Sequence, residues 1–152
     1  MSPDDSTILF ENAPASLRRG ELRAFAAELS KSVGGARPFT CVITSDSALR
    51  RLNRDFLKHD YATDVLSFPS GQRSGSLGDI AISIDRAREQ ARQFGHSLAT
   101  EIRILMLHGV LHLKGFDHET DNGKMQRAEA RWRREFGLPL GLIERASAKA
   151  AS

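Results

Sequence analysis

An α+β (mixed α/β) single domain, with a small mixed sheet of about four strands and about five helices, is predicted by three features of the sequence. Short β-branched or aromatic runs alternate with amphipathic stretches of helical period, each closed by glycine or capped by serine or aspartate. No internal repeat or long linker divides the 152 residues, and that length suits one core. Hydrophobic residues at 40% and charged residues at 27% give a folded, water-compatible chain, not a disordered one.

In chain order, Thr7 to Glu11 reads as a short strand. Ser16 to Val33 places Leu17, Leu22, Phe25, Ala26 and Leu29 at helical spacing before Gly34-Gly35. Phe39 to Thr44 (FTCVIT) has strand composition. Ser45 or Asp46 caps a helix through about Leu57, with Leu49, Leu52 and Phe56 as its apolar stripe. Val65 to Phe68 and Leu77 to Ile84 are strands on either side of a loop that begins at Pro69. Asp85 starts a helix that Gly95 closes after Phe94, Ser97 caps the next, and a last helix runs from about Asn122 to Phe136. Residues 1–6 and about 145–152 carry no apolar period and are expected to be flexible ends.

One cysteine, Cys41, excludes an intrachain disulfide and any multi-cysteine metal cluster. The N-terminal MSPDDSTILF has acidic residues where a secretory signal has basic ones, and no apolar run approaches a membrane span. A cytoplasmic protein without membrane contact is expected. The formal net charge of +3 permits a nucleic-acid partner without requiring one. Between Gly123 and Arg134, five basic residues (Lys124, Arg127, Arg131, Arg133, Arg134) stand against one acidic residue, Glu129. That run reads either as the solvated face of a helix or as a patch facing phosphates.

The chemistry concentrates in His108 to His118, HGVLHLKGFDH. His108 and His112 are four residues apart, so on a helix they share a face. Arg103 is the only charged residue from Ile102 to Leu113, so this helix is expected to be buried on most sides. Gly115 lets the chain turn and return His118 toward the same face. Three imidazoles then converge as His-x3-His-x5-His, suited to one Zn²⁺, with Ni²⁺ or another divalent metal as alternatives. Three protein ligands leave a fourth position for a water that can serve as nucleophile. Asp117, beside the third ligand, either orients an imidazole N–H from outside or closes a structural site. Zinc peptidases share the histidine spacing but place Glu directly after the first His as general base, and here that position is Gly109. The spacing supports a metal, and the missing Glu argues against proteolysis.

Together with LNRDFLKHDYATDVLSFP (Leu52 to Pro69), LGDIAIS (Leu77 to Ser83) and GHSLATE (Gly95 to Glu101), the histidine motif resembles the YbeY family of bacterial endoribonucleases. The resemblance is strong from Leu52 to Phe136 and extends over the first 50 residues only in element order. It implies a zinc-dependent endoribonuclease of single-stranded RNA, acting in maturation of small-subunit ribosomal RNA and in ribosome quality control. The implied zinc ligands are His108, His112 and His118, and the implied partners are ribosomal RNA, ribosomal proteins or the small subunit. Many members carry Arg before the TDVLSFP segment, at the position of Leu57 here, so a phosphate role for that Arg does not carry over. Arg54, Lys58 or His59 are the candidates to substitute for it, and Arg54, Lys58 and Lys114 with the Arg127 to Arg134 cluster are the candidates for contact with the flanking phosphates. No motif places a general base, so water and the RNA 2′-OH both remain as nucleophiles. Asp64 reads as a turn or cap residue, Asp79 as a strand residue facing either solvent or the cleft, and His96 as a surface histidine beside a cap. The alternatives are a non-catalytic assembly factor with a structural zinc, and another zinc hydrolase of peptidase type.

Overall fold

The computed structural model describes residues 7–11, 13–57, 64–70, 75–116, 122–143 and 145. Nine elements follow in the order β1 (Thr7–Phe10), α1 (Arg19–Ser32), β2 (Thr40–Thr44), α2 (Asp46–Leu57), β3 (Val65–Pro69), β4 (Gly78–Ser83), α3 (Ile84–Phe94), α4 (Leu98–Leu113) and α5 (Lys124–Glu135). The strands form one sheet in the order β1-β2-β4-β3. β1, β2 and β4 are parallel, and β3 returns antiparallel along β4 with Leu66 opposite Ala81. Among the described residues the architecture is therefore of the α+β class, with five helices and a four-stranded mixed sheet.

Side-chain alternation divides the sheet into two unequal faces. Cys41, Ile43, Val65, Ile80 and Ile82 face the main core with α1 and α4, whereas Val42, Leu66, Phe68 and Ala81 face α2 through Leu49 and Leu52. Continuous apolar sequence makes α4 the central helix. Ile102, Ile104, Leu105, Met106, Leu107, Val110 and Leu111 are all buried, and only Arg103 and His112 among residues 101–113 reach solvent in part. Its approach to the sheet is close: a Cβ on Gly109 would lie 2.9 Å from Ile80 Cγ2, and the Ser67 hydroxyl donates to the Gly109 carbonyl at 3.0 Å.

Capping chemistry sets the ends of the helices that carry the site. Ser97 Oγ accepts the Thr100 N–H at 3.1 Å and starts α4. For α3 the cap is Ser83, which accepts the Arg86 N–H at 3.1 Å, so the helix begins at Ile84 and not at the expected Asp85. Asp85 instead accepts the Asp46 N–H at 2.7 Å and ties α3 to α2. Gly95 ends α3 in the left-handed region at φ 71°.

Cys41 sits at 0% exposure in β2, and desolvation pushes its thiol up from 9.0 to about 12. Below that pH the sulfur stays protonated and unreactive. A disulfide reagent at pH 8 is expected to label the native chain negligibly and the urea-unfolded chain fully. Rapid labelling without denaturant would show that the strand opens.

Candidate functional site

His108 and His112 lie one turn apart on α4 with ring centroids 4.8 Å apart and planes at 72°, an edge-to-face arrangement. The helical spacing alone accounts for this pairing. Helix α4 ends directly beyond them. Gly115 takes φ 98°, its N–H donates to the His112 carbonyl at 2.9 Å, and the Phe116 N–H returns to the Leu111 carbonyl at 3.2 Å. A side-chain-bearing residue rarely adopts that φ, so glycine is needed where the chain turns past the second histidine. Asp117 and His118 lie outside the described residues, as do Lys58 and His59. Among the described residues no three ligating side chains come together.

Behind the histidines stands a group that the motif does not contain. His108 is 6% exposed, and its Nδ1 lies 2.7 Å from Glu129 Oε2 on α5. Glu129 is itself 1% exposed, and its Oε1 accepts the Ile143 N–H at 2.9 Å. A carboxylate only accepts, so Nδ1 is the ring atom that donates to Glu129, and Nε2 is turned away from it. In the sequence Glu129 was merely the one acidic residue in a basic run. Its signal lay elsewhere: Met125, Ala128 and Trp132, with Phe136 at the C-cap, form the core-facing stripe of α5, and Glu129 falls on the same stripe. A carboxylate on an apolar stripe needs a buried partner, because an unpaired buried charge is costly.

A second buried carboxylate lies two turns before His108. Glu101, at 0% exposure, receives both Arg145 nitrogens, Nη2 at 2.7 Å on Oε1 and Nη1 at 3.0 Å on Oε2. His96 Nε2 is 2.6 Å from the same Oε1. His96 is therefore no surface histidine. Its side chain is 12% exposed, and it belongs to a buried carboxylate–guanidinium–imidazole cluster. Arg145 is likewise anchored, although it opened the stretch expected to be flexible. Residues 146–152 lie outside the described residues.

The remaining candidates separate in space. Lys114 is exposed at the end of α4, two residues past His112. Arg127, Arg131 and Arg134 are exposed on the outer face of α5, the helix that presents Glu129 inward. Arg54 stands on α2, which covers the opposite face of the sheet from α4, and its Nε pairs with Asp55 at 3.1 Å. It is not brought to the histidines. Asp64 does not cap a helix: its Oδ2 accepts from Gln90 Nε2 at 2.7 Å, and Oδ1 lies 3.9 Å from Arg86. Asp79 is exposed on the α2 face, beside Phe56 and Phe68, and not in a cleft with the histidines.

This fold has known counterparts. A family model described as "Endoribonuclease YbeY" matches residues 16–137. The chain belongs to the YbeY family. A protein named Endoribonuclease YbeY from Solibacter usitatus is 60% identical over 144 residues, covering 95% of this chain and 97% of the relative. One of the same name from Koribacter versatilis is 46% identical over 138 residues, covering 91% and 90%. A solution structure of a Thermotoga maritima protein superposes with a TM-score of 0.59 at 26% identity, covering 83% of this chain and 85% of that one. The family assignment thus spans α1 to α5. No helix among the described residues is long and apolar enough to cross a membrane.

Proposed function

We propose that this chain is a cytoplasmic, metal-dependent endoribonuclease that cleaves single-stranded RNA during ribosomal RNA maturation and ribosome quality control. Family membership supports the RNA-cleaving activity, and the carboxylate-backed imidazole of His108 supports the metal. Glu129 on Nδ1 gives His108 the tautomer that a metal ligand needs, and His112 stands beside it on the same helix face. His108, His112 and His118 would hold the ion, Zn²⁺ or another divalent metal, with Asp117 beside the third ligand. When bound, such an ion supplies Lewis acidity toward a phosphoryl oxygen and makes a nearby water more acidic.

The chain's own groups divide the remaining work. Glu129 is occupied by His108 and the Ile143 N–H, so it orients and does not serve as the base. Lys114 at the end of α4 and the exposed arginines of α5 would supply positive charge for the phosphates flanking the scissile bond. Ribosomal proteins of the small subunit are the macromolecular partners this role calls for. Proteolysis is disfavoured by geometry as well as by sequence. Position 109, where peptidases carry the general base, faces Ile80 of the sheet and has no room for a carboxylate.

Losing one outer carboxylate partner typically weakens a metal site ~10–100-fold, so losing a ligand should exceed that range. Native protein is expected to carry one equivalent of divalent metal and to cleave unstructured RNA. His112→Ala should retain the far-ultraviolet dichroism of wild type while losing metal and cleavage together. Undiminished cleavage by a folded, metal-free His112→Ala protein would sink this reading. A substrate with a 2′-deoxy residue at the cleavage position separates the nucleophiles: it is cut if water attacks and spared if the 2′-OH does.

A further inference from the structure

Glu101 and Glu129 are the two buried carboxylates among the described residues, and both hold the same short stretch of chain. The Ile143 N–H donates to Glu129 Oε1 at 2.9 Å, and Arg145 forks onto both oxygens of Glu101. Arg145 also donates from Nε to the Leu140 carbonyl at 3.0 Å, closing the turn on itself, and its guanidinium lies 4.2 Å over the Phe94 ring. Gly141 lies against the Glu129 carboxylate so closely that a Cβ there would overlap it. Each Glu129 oxygen therefore has a separate task, with Oε2 on the His108 ring and Oε1 on this turn.

We propose that Gly141, Ile143 and Arg145 form a positioning element for the histidine site, so that docking of this turn and metal binding by His108 are thermodynamically linked through Glu129. The linkage follows from the single rigid carboxylate between them. With the turn in place, Oε1 is pinned and Glu129 has one rotamer, which holds the imidazole plane. With the turn undocked, Oε1 loses its donor, the carboxylate gains freedom, and His108 must be ordered at the moment the metal binds. Coupling of this kind is reciprocal: a metal that orders His108 must favour the docked turn by the same factor. The inference rests on the metal reading above and adds to it residues that touch neither the metal nor the substrate.

The full-length protein tests both directions with zinc as the probe. Zinc is expected to slow hydrogen exchange of the Ile143 amide at least about tenfold more than exchange of a distant core amide such as Ile43. Arg145→Lys keeps a cation near Glu101 but loses the bidentate fork. This variant is expected to bind zinc several-fold to about tenfold more weakly in competition with a chromophoric chelator, with a smaller zinc-induced rise in melting temperature. A merely structural anchor would lower the melting temperature of the metal-free protein and leave the zinc-induced rise unchanged. If wild type binds zinc while Ile143 exchange does not respond and Arg145→Lys matches wild-type affinity, the linkage is overturned and the metal site stands. If wild type binds no zinc, the metal reading fails and takes this proposal with it.

Discussion

Gly109→Glu is expected to unfold the domain and not to turn it into a peptidase. The substitution restores the residue that zinc peptidases carry after their first histidine, so sequence comparison alone would predict a gain of proteolysis. The structure predicts the opposite. Gly109 faces the sheet, where even a Cβ would lie 2.9 Å from Ile80 Cγ2 and 3.0 Å from its Cδ1. Overpacking of a filled core costs about 1–3 kcal/mol, and a buried unpaired carboxylate adds several more. Their sum is comparable with the ~5–15 kcal/mol that holds an ordinary domain together. Gly109→Ala, which adds only the Cβ, should fold with an unfolding free energy, measured by urea titration, lowered by about 1–3 kcal/mol. A soluble, cooperatively folding Gly109→Glu protein with a wild-type midpoint would show that α4 does not pack on β4 as described.

Glu101→Ala should be the most destabilising substitution at a position outside the histidine motif. It strips the Arg145 guanidinium of its bidentate partner and His96 of its 2.6 Å contact, and it leaves a space in a region with 0% exposure. Removing one member of a buried ion pair costs about 3–5 kcal/mol, because the other charge stays behind uncompensated. Arg145 is 9% exposed at its side chain and can recover some hydration, which places the loss toward the lower end. The double variant Glu101→Ala/Arg145→Ala removes the stranded charge and is expected to recover part of that loss. Urea unfolding of the singles and the double measures it directly. Additive losses, with no coupling between the two sites, would refute the account of this cluster as an ion pair.

Local sequence chemistry resolved much of this molecule because its elements are marked by short-range rules. Ser97 and Gly95 delimit helices through contacts within four residues of themselves. The four-residue spacing of His108 and His112 places both rings on one face wherever that helix packs. The antiparallel return of β3 was not legible, since a period of two in side chains carries no strand direction. His96 was misplaced for a related reason: its neighbours Gly95 and Ser97 signal a surface cap, while its buried partner Glu101 becomes apparent only when α4 is folded into the core.

The sequence by itself determined the layered α+β class, the capped helices, and a helix face carrying two histidines with a glycine turn beyond them. These depend on residue type and on spacing within a few turns, which the chain's stereochemistry converts directly into geometry. Only the tertiary structure decided that Glu129 stands behind His108, that Gly109 is pressed against Ile80, and that Arg145 closes over Glu101. Those pairs are separated by 21, 29 and 44 residues. What unites them is the burial of apolar faces into one core, which forces each buried charge to find the partners that the packing brings within reach.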